Sequence, residues 1–206
     1  MAPKPRTPER KSGQSERQPT AEISPGRING IDVDEMQKKV DAISADPDKG
    51  VARFQAKTNW SGGLKSDSYV DSWHLGGERI DQDYHIQADE PVELVGEGTA
   101  PNPQMLLQAA INSCMLNTFV AAASVMGVEL ESLEFESRGE LDLRGFLGID
   151  ESVDAGYSQI DLTIRVKGDG TPEQYEKMYE LVERQSPNYF NTTQPIALNA
   201  EIVVED

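Results

Sequence analysis

The chain has 206 residues, 27% of them charged, with thirty-six acids against nineteen lysines and arginines and a formal net charge of −17. That balance speaks against nucleic acid or an anionic membrane as a partner. One cysteine excludes an intramolecular disulfide and a multi-cysteine zinc site, and the two histidines, His74 and His85, lack a clear third ligand, so no metal or cofactor is expected.

Residues 1–28 are rich in Pro, Ser, Lys and Arg, lack aromatics and carry six basic residues against three acids. So little apolar surface cannot offset the entropy of ordering, and a disordered basic tail is expected. No apolar stretch follows its basic residues, so it does not read as a secretory signal. Residues 29–206 carry thirteen basic and thirty-three acidic residues, a net charge opposite in sign to that of the tail.

Residues 29–50 form an N-terminal helical segment. An amphipathic helix is expected from Val33 to Ala45, capped by Asp32 or Asp34, with Met36, Val40 and Ile43 as its apolar stripe. The run ADPDKG ends it. Residues 51–206 read as one domain. VARFQAKTNW, SYVDSWHLGG and ERIDQDYHIQA predict three strands of an antiparallel meander over residues 51–88.

DEPVELVGEGTAPNP is a loop, and Asn102 with Pro103 opens a helix that runs to Met126 and stops at Gly127. Nothing between Glu97 and Glu129 is ionised, thiolate apart, and the only cysteine, Cys114, lies inside that run. The run is long enough to cross a bilayer. However, Gln104, Gln108, Asn112, Ser113 and Asn117 recur along it, and neither flank carries Lys or Arg. A helix of a soluble protein, wrapped by protein on all sides, is the expectation.

VELESLEFESRGELDL alternates apolar and acidic residues and predicts a half-exposed strand; GFLGIDESVDAGY connects it to a second strand, SQIDLTIRVKGDG. TPEQYEKMYELVERQ opens on a capping box, Thr171 with Gln174, and turns Tyr175, Met178, Tyr179 and Val182 inward. SPNYFNTTQ is a short turn or helix, and PIALNAEIVVE predicts a final strand. The fold class is α+β, two antiparallel groups of strands around one long central helix.

The order of a β-meander, a Gly-rich loop, NPQMLLQAAINSCM and an alternating strand resembles the OsmC/Ohr family of osmotically inducible and organic-hydroperoxide-resistance proteins. The match is strongest over Asp89–Arg138 and extends in pattern over Val51–Glu205. SWHLGGERI, TAPNPQ and GELDLRGFLG look like a particular OsmC-like branch. The resemblance implies an intertwined homodimer with two thiol peroxidase sites at its interface. One cysteine attacks the peroxide, a second cysteine in a Cys-Pro pair resolves it, and an arginine and a glutamate organise the thiolate.

By this resemblance the attacking cysteine is Cys114. The resolving Cys-Pro pair falls on Ser186-Pro187, and the glutamate falls on Gln104. The arginine position falls on Leu64 or Lys65 in one branch pattern and on His85 or Gln87 in another. Arg79 is the only Lys or Arg from Ser66 to Glu136, against thirteen acids, and is the candidate stand-in. Its alternative is an exposed strand residue paired with Glu78 or Asp81.

For Cys114 alone, the competing reading is a small buried hydrophobe, because burial raises a thiol pKa and makes the sulfur inert. His85 has a structural alternative, and Ser186 reads most simply as a helix cap. Two functions remain open. The first is a one-cysteine peroxidase for organic hydroperoxides, using Cys114, Arg79 and Gln104 with an external thiol as reductant. The second is a non-catalytic protein that binds a small apolar ligand in the former active-site pocket. A reducing, cytoplasmic setting fits a lone thiol.

Overall fold

A computed structural model describes residues 26–205. The expected disordered tail lies outside the described residues except for its last three. Two of those, Arg27–Ile28, form strand β1, which pairs with β2, Ile31–Asp32, through a loop at Asn29 and Gly30. Both loop residues have left-handed backbones, φ 52° and 78°, as a tight Asn-Gly hairpin requires.

The hairpin is fastened to the core by the Asn29 side chain and by the Ser124 hydroxyl, which donates to Ile28 O at 3.0 Å. The Asn29 amide donates to Val128 O at 2.8 Å and to Ser124 Oγ at 3.2 Å, while its oxygen accepts from Leu130 N at 2.8 Å. Helix α1, Val33–Ala45, follows as expected, with the Asp32 carboxylate accepting from Glu35 N at 3.0 Å. Its apolar stripe stays largely exposed at Val40 and Ile43.

The meander forms a sheet of four strands, because the expected first strand divides in two. β3, Ala52–Phe54, and β4, Lys57–Trp60, both pair along one edge of β5, Ser66–Leu75, and β6, Glu78–Ala88, pairs along the other. The division falls at Gln55 and Ala56, opposite which β5 has three residues, Val70 to Ser72, between its pairings with Phe54 and Lys57. Gln55, itself exposed, donates there to the hydroxyl of the fully buried Ser72 at 3.0 Å. Period-two patterning cannot anticipate that break, because a bulge on the partner strand sets it.

The long helix is α2, Pro103–Val125, capped by the Asn102 side chain, which accepts from Met105 N at 2.9 Å. A second sheet, β7 (Leu130–Gly139) and β8 (Ile160–Gly168), packs on it. Between these strands lies a short helix, α3, Leu143–Phe146. Helices α4, Pro172–Gln185, and α5, Pro187–Thr193, close the other side, and α4 carries the expected Thr171–Gln174 capping box.

The core lies between these elements. Ile111, Met115, Phe119, Ala122 and Ala123 of α2 meet Phe135 of β7 and Met178 and Val182 of α4. Phe119 and Phe135 stack edge to face, with centroids 6.0 Å apart. The sheet's outer face is charged, and Arg165 bridges Glu134 and Glu136 at 2.5 and 2.8 Å.

Two expectations need correction. The protomer buries α2 on one face only, and Met105, Leu107 and Val125 are exposed, so protein does not wrap the helix on all sides within one chain. The meander sheet, which could have covered the far face, makes no substantial packing with α2. By length and composition alone α2 could cross a membrane, and only 22% of its most apolar window is buried. The predicted final strand, 195–205, has no strand partner, and Ile196, Leu198, Ile202, Val203 and Val204 are all exposed. Its alternation is real, but the segment pairs with no strand edge among the described residues.

Candidate active site

The site is assembled around Cys114, the twelfth residue of α2. Upstream, the loop from Asp89 to Pro101 fixes where that helix begins. Asp89 is 1% exposed, and its carboxylate accepts from Thr99 N at 2.9 Å, Thr99 Oγ1 at 2.8 Å and Glu97 N at 3.4 Å. These bonds, the Thr99 amide foremost, hold its carboxyl below the ordinary aspartate range. Gly96 closes the loop: a Cβ there would meet Glu90 O at 1.8 Å, so no side chain fits. Lys65 ties the loop to the meander through Glu97 at 2.9 Å.

Downstream, α4 and α5 meet at Ser186. Its N–H donates to Val182 O at 2.9 Å, ending α4, and its hydroxyl accepts from Tyr189 N at 3.5 Å, starting α5. Pro187 holds the first position of the new helix, where its missing N–H costs nothing. The cap predicted for Ser186 is therefore present. The same hydroxyl donates to Cys114 Sγ at 3.5 Å, and Ser186 is 2% exposed. The junction is riveted to α2 one turn earlier, where the Asn188 amide donates to Ala110 O at 2.8 Å.

Cys114 is half-buried. Ile111 and Met115 beside it are buried in the core, so the sulfur sits at the margin between the packed and open faces of α2. Its hydrogen-bond partner is a neutral hydroxyl. A thiolate there is solvated by that donor and by whatever covers the open face.

The other expected site residues lie elsewhere in the protomer. Arg79, at the start of β6, is exposed and gives its Nε to Asp81 at 2.7 Å, the local pairing that was the alternative to a catalytic role. Gln104 is exposed in the first turn of α2, ten residues and about 15 Å of helix before Cys114. His85 stacks on Tyr69 with centroids 4.8 Å apart and bonds Asp67 at 2.6 Å. Asp67 is held below the usual carboxylate range by hydrogen bonds from Ser61, Gln87 and His85. The protomer brings Ser186 to Cys114 and leaves Arg79, Gln104 and His85 away from it.

Sequence reasoning missed Asp89 and Asn188. The signal for Asp89 was an acid at a strand end, followed by a loop with two glycines. Nothing local marks Asn188, whose role depends on a residue 78 positions away.

An α+β protomer with a lone cysteine on a neutral helix, cradled by a Ser-Pro junction, defines the class. The family model described as OsmC-like protein matches residues 96–201, more than half of the chain, and the chain belongs to that family. No curated protein matches it. Among solved structures, it is similar to an OsmC-like protein from Mycoplasma pneumoniae, at 13% identity over 68% of this chain and 87% of that one, TM-score 0.54. It is also similar to an osmotic stress induced and detoxification response protein from Psychrobacter arcticus 273-4, at 18% identity over 65% and 84%, TM-score 0.51. An organic hydroperoxide resistance protein from Elizabethkingia anophelis aligns at 17% identity over 71% and 91%, TM-score 0.49. At these identities the likeness concerns the fold.

Proposed function

We propose that the protein is a one-cysteine thiol peroxidase that reduces small apolar organic hydroperoxides with Cys114 as the attacking sulfur. The observation that carries this reading is the 3.5 Å contact between Ser186 Oγ and Cys114 Sγ, at the junction where the family resemblance puts a resolving cysteine. A hydroxyl there can steady a thiolate and donate to a peroxide oxygen, but it cannot form a disulfide.

The chemistry follows from the thiol. Cys114 thiolate attacks one peroxide oxygen, the O–O bond breaks, and the alkoxide leaves as an alcohol after taking a proton. Sulfur is oxidised by two electrons to the sulfenic acid, and the peroxide is reduced by two. An external thiol then attacks the sulfenic sulfur and releases water, and a second thiol equivalent frees Cys114 and leaves the external disulfide. A reducing compartment such as the cytoplasm supplies those thiols.

The working unit in this reading is a homodimer. The support is physical: an open face on α2, exposed Phe54, Trp60 and Tyr84 on the meander, and an alternating apolar segment at 195–205 without a strand partner. A second copy would bring its own cation, Arg79 among the candidates, and its own Gln104 toward the open side of Cys114. Sedimentation at micromolar protein should give twice the chain mass; a monomer there sinks this part of the reading.

A second reading, a non-catalytic binding protein, draws on the neutral partner of Cys114 and on Arg79 being engaged by Asp81. One assay separates the two. Cumene hydroperoxide consumption with an excess of dithiol should fall about 10³-fold or more in Cys114→Ser. Equal rates in wild type and Cys114→Ser overturn the peroxidase. In Ser186→Cys, stoichiometric peroxide should join positions 114 and 186 by an intrachain disulfide, read as lost free thiol; persistent free thiols would show that the contact is not maintained in solution.

A further inference from the structure

We propose that the protein carries a second small-molecule site, separate from the thiol: a cavity of about 580 Å³ between α2, the inner ends of β7 and β8, α4 and α5, suited to a neutral molecule with an aromatic or branched body and a hydroxyl or amine. Its size is within the range of natural ligand pockets. Ile111 and Met115 form its α2 wall, Ile160 and Leu162 its sheet wall, and Tyr157 and Tyr189 its aromatic sides. Cys114 is not among the lining residues. It projects about 100° round the helix from Met115, toward Ser186.

The polar groups point to the ligand class. The inner face of the second sheet is apolar at Leu133, Phe135, Ile160, Leu162, Ile164 and Val166, and Ser137 interrupts it opposite Leu162. Ser137 lines the cavity, and its Oγ is buried with no hydrogen-bond partner among the described residues. Gln108 Oε1 and Asn112 Oδ1 share that condition. Their spacing of four residues puts them on one face of α2, beside Ile111 and Met115.

Gln108, outside the lining, packs against Gly139 together with Tyr157, which lines the cavity. A Cβ at Gly139 would lie 2.8 Å from the Tyr157 ring and 3.3 Å from Gln108 Nε2, so both side chains converge on that glycine. Three buried polar atoms without partners are costly unless something bonds them. Of the three, Ser137 belongs to the cavity lining, and its hydroxyl suits a ligand that carries a hydroxyl or amine of its own.

Charge narrows the class further. The lining holds one acid, Asp161, and no Lys or Arg. Tyr189, on the opposite side, gives its hydroxyl to Glu183 at 3.2 Å. Carboxylates and phosphates are therefore disfavoured, and a neutral alcohol or amine is favoured.

The test uses methyl-labelled full-length protein with three probes: benzyl alcohol, toluene and benzoate. Benzyl alcohol should move the methyl resonances of Ile111, Met115 and Leu162. Toluene should bind about fivefold more weakly, the worth of one hydrogen bond, and benzoate more weakly still. Ser137→Ala should bring benzyl alcohol down to the affinity of toluene. Gly139→Val, which drives Tyr157 inward, should abolish binding of both. Cys114→Ser should leave binding unchanged, which distinguishes failure here from failure of the peroxidase reading.

Unmoved methyls with benzyl alcohol at its solubility limit overturn the site. So does benzoate binding as tightly as benzyl alcohol, or Ser137→Ala without effect. Contacts from Ile196 or Leu198, of the same chain or a second copy, to the Leu162 methyls also overturn it, because the cavity would then be filled by protein.

Discussion

The layer built from α2, β7, β8, α4 and α5 and the meander sheet of β3 to β6 both begin from alternating strands, yet they end in different states. The first closes a core in which Phe119, Met178 and Val182 are essentially inaccessible. The second leaves Phe54 and Trp60 each 78% exposed and buries only Ser72 among its strand residues. The difference lies in what each sheet can reach. β7 and β8 are linked by short connections to helices that fold back over one face. The meander is flanked by α1, which turns away, and by the Asp89 loop, which spans only its margin. A two-sided strand needs a covering layer, and chain order supplies one layer here.

The largest effect expected from this contrast is in the packed layer. Phe119→Ala should cost about 3–5 kcal/mol in a urea melt, since it removes a fully buried ring stacked on Phe135. A loss under about 1 kcal/mol would mean that this layer is looser than its burial indicates. Asn29→Ala comes next. It removes three hydrogen bonds that clip the N-terminal hairpin to the end of α2 and should cost about 1–3 kcal/mol, with fast amide exchange appearing at Leu130.

The Asp89 loop joins the two regions, and acid should loosen it. Its folded pKa lies below the unfolded value of about 3.9, so its contribution is complete above that pH and is lost as pH falls through the folded pKa. Exchange at the Thr99 amide should accelerate in that window, and Asp89→Asn should flatten the acid dependence. The smallest effect on a lone protomer is Trp60→Ala, under about 0.5 kcal/mol for so exposed a side chain. A clearly larger loss, shrinking with dilution, would show that another copy covers the meander and would remove the contrast between the two regions.

Much of this was legible in the residues. Caps announced themselves at Asp32, Asn102, Thr171 and Ser186, because a capping bond is made within three residues of the capping side chain. The break in the first meander strand was not legible, since it answers to an extra residue on β5 opposite Gln55 and Ala56. Nor was the pairing of Arg79 with Asp81 separable from a catalytic role, because charge counting along a chain ignores which neighbour is two residues away on the same strand face.

The sequence by itself determined the helix that carries Cys114, the alternation of the strands, the helix caps and the family pattern. All of these are local, set by spacing, turn chemistry and side-chain type within a few residues. Only the tertiary structure decided that Ser186 meets Cys114 across 72 positions, that α2 is buried on one face, and that 195–205 finds no edge. Those depend on which surfaces the chain brings together, and an apolar period fixes that a face must be covered without fixing what covers it.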